Sequence, residues 1–215
     1  MVPLLISLAL LFSSPANAAF FGQADVLING NAPAITNPLN VRSEAIDGQK
    51  ATYSAAAKFT AATAATDIFT ITGSATKTIR ITKVVISGIQ TTGGILDFFL
   101  IKRSAVNTGG TSAVVTAVPF DSNSPAATAS VASYTVNPTA LGAAIGTLKI
   151  AKIIVGAANG GPNGIPTDST KEFIFGQGAV SALILRGATQ VLSVNFNAQT
   201  AAGNAFDIFV EWTEE

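Results

Sequence analysis

The chain has 215 residues, twelve of them basic and twelve acidic, with no histidine and no cysteine. That length suits one domain, or one domain with an extended arm, and is enough to bury a proper core without staples. The balanced, scattered charge gives no field to steer nucleic acid or an anionic membrane. Without cysteine, disulfides and thiolate metal sites are excluded. Without histidine, the commonest general base and the commonest metal ligand are both gone.

Charged residues make up only 11% of the chain, against about 25% in an ordinary soluble domain. Mean hydropathy is positive. Much of the surface is therefore expected to be buried against other copies, or covered by Thr, Ser, Asn and Gln. Assembled shells, fibres and secreted surface proteins share that composition.

Residues 1–18 have the pattern of a secretory leader. Residues 4–12 are an apolar run, Ser13, Ser14 and Pro15 break it, and Ala16, Asn17 and Ala18 supply small residues for cleavage before Ala19. The run is too short for a stable membrane-spanning helix. The stretch before it, Met1 to Pro3, has no Lys or Arg. The alternative is a hydrophobic arm that is retained and buried in an assembly. Cleavage implies a secreted, extracellular or periplasmic protein; retention implies a virion.

Residues 19–66 read as an extended N-terminal arm. Asn29-Gly30 and Asp47-Gly48 are turn dipeptides, and Pro33 and Pro38 force extended backbone just before them. Val26, Leu27 and Ile28 can make one short strand. Residues 51–65 are rich in alanine, but their threonines and lack of a 3.6-residue apolar face argue for a loop or an edge strand over a helix.

From Asp67 the alternation expected of strands is clear. Strands are predicted over 67–72, 78–87, 95–103, 112–120, 129–136, 146–155, 172–175, 182–185, 191–196 and 205–213. In the last of these Phe206, Ile208, Val210 and Trp212 share one face, with Asp207 and Glu211 opposite. Roughly nine or ten short strands at this spacing, with no convincing helix between them, indicate an antiparallel β-sandwich of jelly-roll type over residues 67–215.

The chain also carries a faint internal echo. Residues 73–77, a strand, 91–94 and Leu96-Asp97-Phe98-Phe99-Leu100 form one set. Residues 187–190, a strand, 200–203 and Phe206-Asp207-Ile208-Phe209-Val210 form the other. This is either a duplicated hairpin, one in each sheet, or two hairpins of Thr, Gly and Phe that resemble one another by composition. The second is the simpler account.

Motifs that would carry chemistry fail on inspection. The glycine-rich stretch 156–164 lacks the Gly-Lys-Ser/Thr that holds a phosphate and its magnesium, and no helix follows it. Residues 176–181 follow a strand, but a pyrophosphate site needs a helix N-terminus where 182–187 is strand-like. Asp121-Ser122-Asn123 begins like a calcium loop, yet no glycine turn or distal Glu completes it, so an Asx turn is expected. Glycosidase carboxylates would have to come from Asp67, Asp97, Asp207 and Glu211, each at a strand end or on a polar face, where a solvated or subunit-facing charge is expected. A serine nucleophile would need a lysine partner, and the one Ser-x-x-Lys, Ser74 to Lys77, falls in the turn that ends the strand 67–72, with no helix to carry it. One Trp and two Tyr are too few for a platform that stacks sugars or bases. No catalytic, cofactor-binding or metal-ligating residue is assigned.

Asp67-Ile68-Phe69-Thr70-Ile71-Thr72-Gly73, residues 100–104, Asp121-Ser122-Asn123, Leu185-Arg186-Gly187 and the closing stretch 206–215 resemble uncharacterised small β-rich proteins of tailed phages, prophages and bacteria. The resemblance covers about two thirds of the chain and carries no active-site residues. It implies a jelly-roll domain, trimeric, serving as a virion decoration or fibre-like component. The leader-like residues 1–18 depart from that pattern, since virion proteins assemble in the cytoplasm. The resulting expectation is a non-enzymatic, self-assembling structural protein without cofactors. Its expected partners are copies of itself in a homotrimer, and capsid, tail or cell-surface proteins, with no nucleic acid. The alternative is a secreted adhesion module that binds a glycan or protein through the loops at 156–166 and 108–117.

Overall fold

The structure is a computed structural model and describes residues 50–59, 66–89, 94–155, 170–176, 182–196 and 205–215. All of them belong to a compact unit that spans residues 45–215. The leader, the Val26–Ile28 stretch, the proline turns before residue 50 and the loops at 156–166 and 177–181 lie outside the described residues.

Twelve strands are formed among the described residues: β1 (Ala51–Phe59), β2 (Asp67–Thr72), β3 (Ile79–Ile89), β4 (Gly94–Arg103), β5 (Thr111–Val114), β6 (Val118–Pro119), β7 (Ser130–Val136), β8 (Ala144–Val155), β9 (Lys171–Ile174), β10 (Leu183–Leu185), β11 (Val191–Asn195) and β12 (Ala205–Glu214). Two six-stranded antiparallel sheets result. One runs β10-β3-β12-β1-β6, with β9 also paired to β3. The other runs β5-β7-β2-β11-β4-β8. Successive strands β1, β2, β3 and β4 alternate between the sheets, and so do β10, β11 and β12. This winding makes the antiparallel sandwich jelly-roll-like.

Each sheet buries one face because its side chains alternate. Tyr53, Ala55 and Phe59 of β1 point inward with Phe206, Ile208, Val210 and Trp212 of β12. From the opposite sheet they meet Phe69 and Ile71, Leu96, Phe98 and Leu100, and Leu192 and Val194. One end of the core is an aromatic cluster: Phe196 lies edge-on to Phe98 at 4.8 Å and to Phe59 at 5.5 Å, and Phe206 lies 5.5 Å from Phe98. At the other end Tyr53 stacks on Trp212 at 5.7 Å. Each such ring contributes about 1.5–3 kcal/mol by leaving water.

Residues 51–59, assigned from sequence to the arm, are a full strand of the sandwich. β1 pairs along its whole length with β12, from Ala51 opposite Glu214 to Phe59 opposite Phe206. Only the two-residue β6 covers its other side, so the edge-strand expectation comes close. The start of β1 and the end of β12 are tied here as well: Lys50 and Arg80 both pair with Glu215.

The internal echo is not a pair of hairpins. β3 and β4 lie in different sheets, and so do β11 and β12. Yet the two segments occupy equivalent places. The order β10-β3-β12-β1 in one sheet repeats as β2-β11-β4-β8 in the other, with the strands of the two echoing segments exchanged. The two segments thus hold matching places in the two strand orders, with Asp97 of β4 at the place of Asp207 of β12.

A candidate assembly surface on the outer sheet faces

The four carboxylates considered from sequence are dispersed. Asp67 is fully buried, contrary to the expected solvated or subunit-facing charge. Arg103 of β4 reaches across β11 to it, donating from Nε to Oδ2 and from Nη2 to Oδ1, both at 2.7 Å. Asn107 and Asn195 donate their amide hydrogens to the same carboxylate at 2.9 and 2.8 Å. Arg103 also donates to the carbonyl of Gly142, whose own N–H is accepted by Asn107. With four donors on its oxygens, Asp67 is a structural clamp. It fastens the chain between β4 and β8 onto the outer side of β2 and β11.

Glu214 makes a second clamp. Its carboxylate accepts from the backbone N–H groups of Thr128 and Ala129, the Thr128 hydroxyl and the Trp212 indole. Burial pushes this carboxyl upward, but those donors outweigh it and hold it below the ordinary value. Tyr53 adds a hydrogen bond from its hydroxyl to the carbonyl of Pro125 at 2.8 Å. Asp121 accepts from the backbone and side chain of Asn123, the Asx turn expected from the sequence.

The remaining carboxylates are at the surface. Asp97 pairs with Lys152 at 2.6 Å and Asp207 with Lys58 at 3.9 Å. Glu211 flanks Lys83, whose ammonium is held above its ordinary value by its hydrogen bond to Glu172 and by the Glu211 charge. Among the described residues no group of three or more acidic side chains could hold a metal.

What the surface does offer is apolar. On the outer face of β4 and β8, Ile95 lies opposite Ile154 and Phe99 opposite Ile150, with the Asp97–Lys152 pair between them. Ile95, Ile150 and Ile154 are 59%, 63% and 58% exposed, and Ile145 and Leu148 of the same strand are exposed too. β8, at twelve residues the longest strand described, is also the edge of its sheet. A long, apolar edge strand is the feature that natural sheets normally blunt or cover. Lys149 and Lys152 are the charges on it.

The corresponding place on the other sheet is hollow. There Phe209 lies opposite Ala56, and Asp207 opposite Lys58. Ala56, Ala57, Lys58, Asp207, Ile208 and Phe209 line a mostly apolar depression of about 340 Å³. These surfaces were not among the residues singled out from sequence. The signal for them was the excess of isoleucine in 145–154, where both alternate faces are apolar. No family model, curated protein or solved structure matches the chain.

Proposed function

We propose that the chain is a non-enzymatic structural protein that assembles with copies of itself, as a virion decoration or fibre component or as a surface component. The observation that carries this is the band of half-exposed isoleucines on β4 and β8, at an edge that nothing in the chain's described residues covers. Five aliphatic side chains left in water are costly, and burying each more fully would gain about 1 kcal/mol or more. The scarcity of charge across the sequence supports the same reading. A homotrimer is the assembly implied by the phage-like resemblance. Light scattering coupled to gel filtration tests the proposal: a mass of several chains supports it, and a monomer at high concentration overturns it.

The second reading is an adhesion module. β5 is exposed at all four positions, with Val114 86% exposed, and follows the glycine turn at Gly109 and Gly110. A glycan array with wild-type protein and a variant lacking residues 108–114 separates this reading from the first.

A further inference from the structure

Residues 121–129 lead into β7 with no strand of their own. They start after Phe120, which donates its N–H to the carbonyl of Thr52, and end where Ser130 opens β7. No residue from 121 to 128 is buried; Ala127 is partly covered, and only Ala129 joins the core. Apolar burial therefore does little to hold this segment in place, which is the condition for local opening. Its ties to the sheets are polar and come from two side chains. Tyr53 of β1 donates its hydroxyl to the Pro125 carbonyl, and the Glu214 carboxylate of β12 accepts from Thr128 and Ala129.

Glu214 is only 4% exposed, yet among the described residues it has no ion-pair partner. Lys50 and Arg80, on the neighbouring strands, pair with Glu215 instead. In the opposite sheet Asp67 and Arg103 satisfy each other. β1 turns Tyr53 toward Glu214, its hydroxyl pushed up first by burial and then by the Glu214 charge. The segment's own carboxylate, Asp121, is taken up with Asn123. The Glu214 charge is thus met by N–H and O–H dipoles alone. We propose that residues 121–129 are a strap that Glu214 fastens over the Tyr53–Trp212 end of the core, and that protonation of Glu214 unfastens it in acid while both sheets stay folded.

An ionised carboxylate only accepts, and here its oxygens take the N–H groups of Thr128 and Ala129, the Thr128 hydroxyl and the Trp212 indole. Protonation puts a hydrogen on one of those oxygens, which then meets the same donors as a donor itself. Burial opposes the charge, but the donors outweigh it and keep the carboxyl below its ordinary 4.5. The strap is therefore held shut above that value and loosens as pH falls below it. Opening gives the Thr128 and Ala129 N–H groups and the Pro125 carbonyl to water, and bares the stacked Tyr53 and Trp212. The ladder between β1 and β12 makes no use of the strap and survives its release. This device is independent of self-assembly.

Amide hydrogen exchange on the full chain, from neutral pH down to about pH 3, tests the proposal. The protection factors of the Thr128 and Ala129 amides are expected to fall about 5- to 150-fold over that range, while the amides of β3 and β12 keep theirs. Trp212 is the only tryptophan, so quenching of its fluorescence by acrylamide should rise over the same range with the far-ultraviolet circular dichroism unchanged. Glu214→Gln is expected to show the open strap already at neutral pH and no further change in acid. If that variant does not fold, the wild-type series decides alone. Strap amides that keep their protection in acid, or lose it only together with those of β3 and β12, overturn the proposal. So does a folded Glu214→Gln that responds to acid as wild type does, which would move the response to Asp121 or another carboxylate.

Discussion

Replacing Asp67 by alanine removes the acceptor on which Arg103, Asn107 and Asn195 converge, and leaves a guanidinium that is 5% exposed without its counter-charge. Breaking one side of a buried ion pair costs about 3–5 kcal/mol, mostly through the stranded charge. For a protein of this length each kcal/mol moves the melting temperature by about 2–4 °C, so Asp67→Ala is expected to melt about 6–20 °C lower. Removing both charges in Asp67→Ala/Arg103→Met strands neither, so the loss should shrink to about 1–3 kcal/mol, the cost of unpaired amides. The double-mutant cycle should then return a coupling of at least about 2 kcal/mol. Urea denaturation of the four proteins measures it. A single-variant loss below about 1 kcal/mol, the size for an exposed pair, would refute the clamp. So would strictly additive losses.

Glu214→Gln puts an amide among four donors and is expected to lose about 1–3 kcal/mol at neutral pH. Because the folded-state carboxyl lies below its ordinary 4.5, the stability it contributes is present above that value and is lost as pH falls below it. A pH series of denaturation curves should show this loss in wild type and a shallower one in Glu214→Gln. Glu215, held low by its hydrogen bonds to Lys50 and Arg80, adds to the same acid window. At Gly142 a Cβ would run into the carbonyl oxygen of Ala105, so Gly142→Ala is expected to cost at least about 1–3 kcal/mol. Hydrogen exchange should show the segment between β4 and β8 loosening first. Tyr53→Phe loses only the bond to Pro125 and is expected to cost about 0.5–1.5 kcal/mol by thermal melting.

Strands with strong alternation were legible in the chain itself. β2, β4 and β12 carry large apolar residues at alternate positions (Phe69 and Ile71; Leu96, Phe98 and Leu100; Phe206, Ile208, Val210 and Trp212), and the structure buries them. β1 was harder because its inward alternation, Tyr53, Ala55, Ala57 and Phe59, is carried half by alanine. What makes it a strand is pairing with β12, some 150 residues away, which no local pattern reveals. The stretches 91–94 and 200–203 looked like hairpin turns, yet the strands flanking each lie in different sheets, since Thr and Gly suit either kind of connection. Which sheet a strand joins is decided by packing.

The same non-locality hid the Asp67 clamp. From the sequence Arg103 was only the last residue of a predicted strand, and Asp67 a strand-end charge. Their pairing depends on β11 lying between β2 and β4. The band of exposed isoleucines and the hollow likewise exist only once register is known: Ile150 opposite Phe99, and Ala56 opposite Phe209.

The central claim is that this sandwich satisfies its exposed apolar faces with copies of itself. Sedimentation equilibrium across a wide concentration range tests it most directly. The account predicts a weight-average mass that rises from one chain toward several as concentration increases. A single-chain mass at every concentration would contradict it.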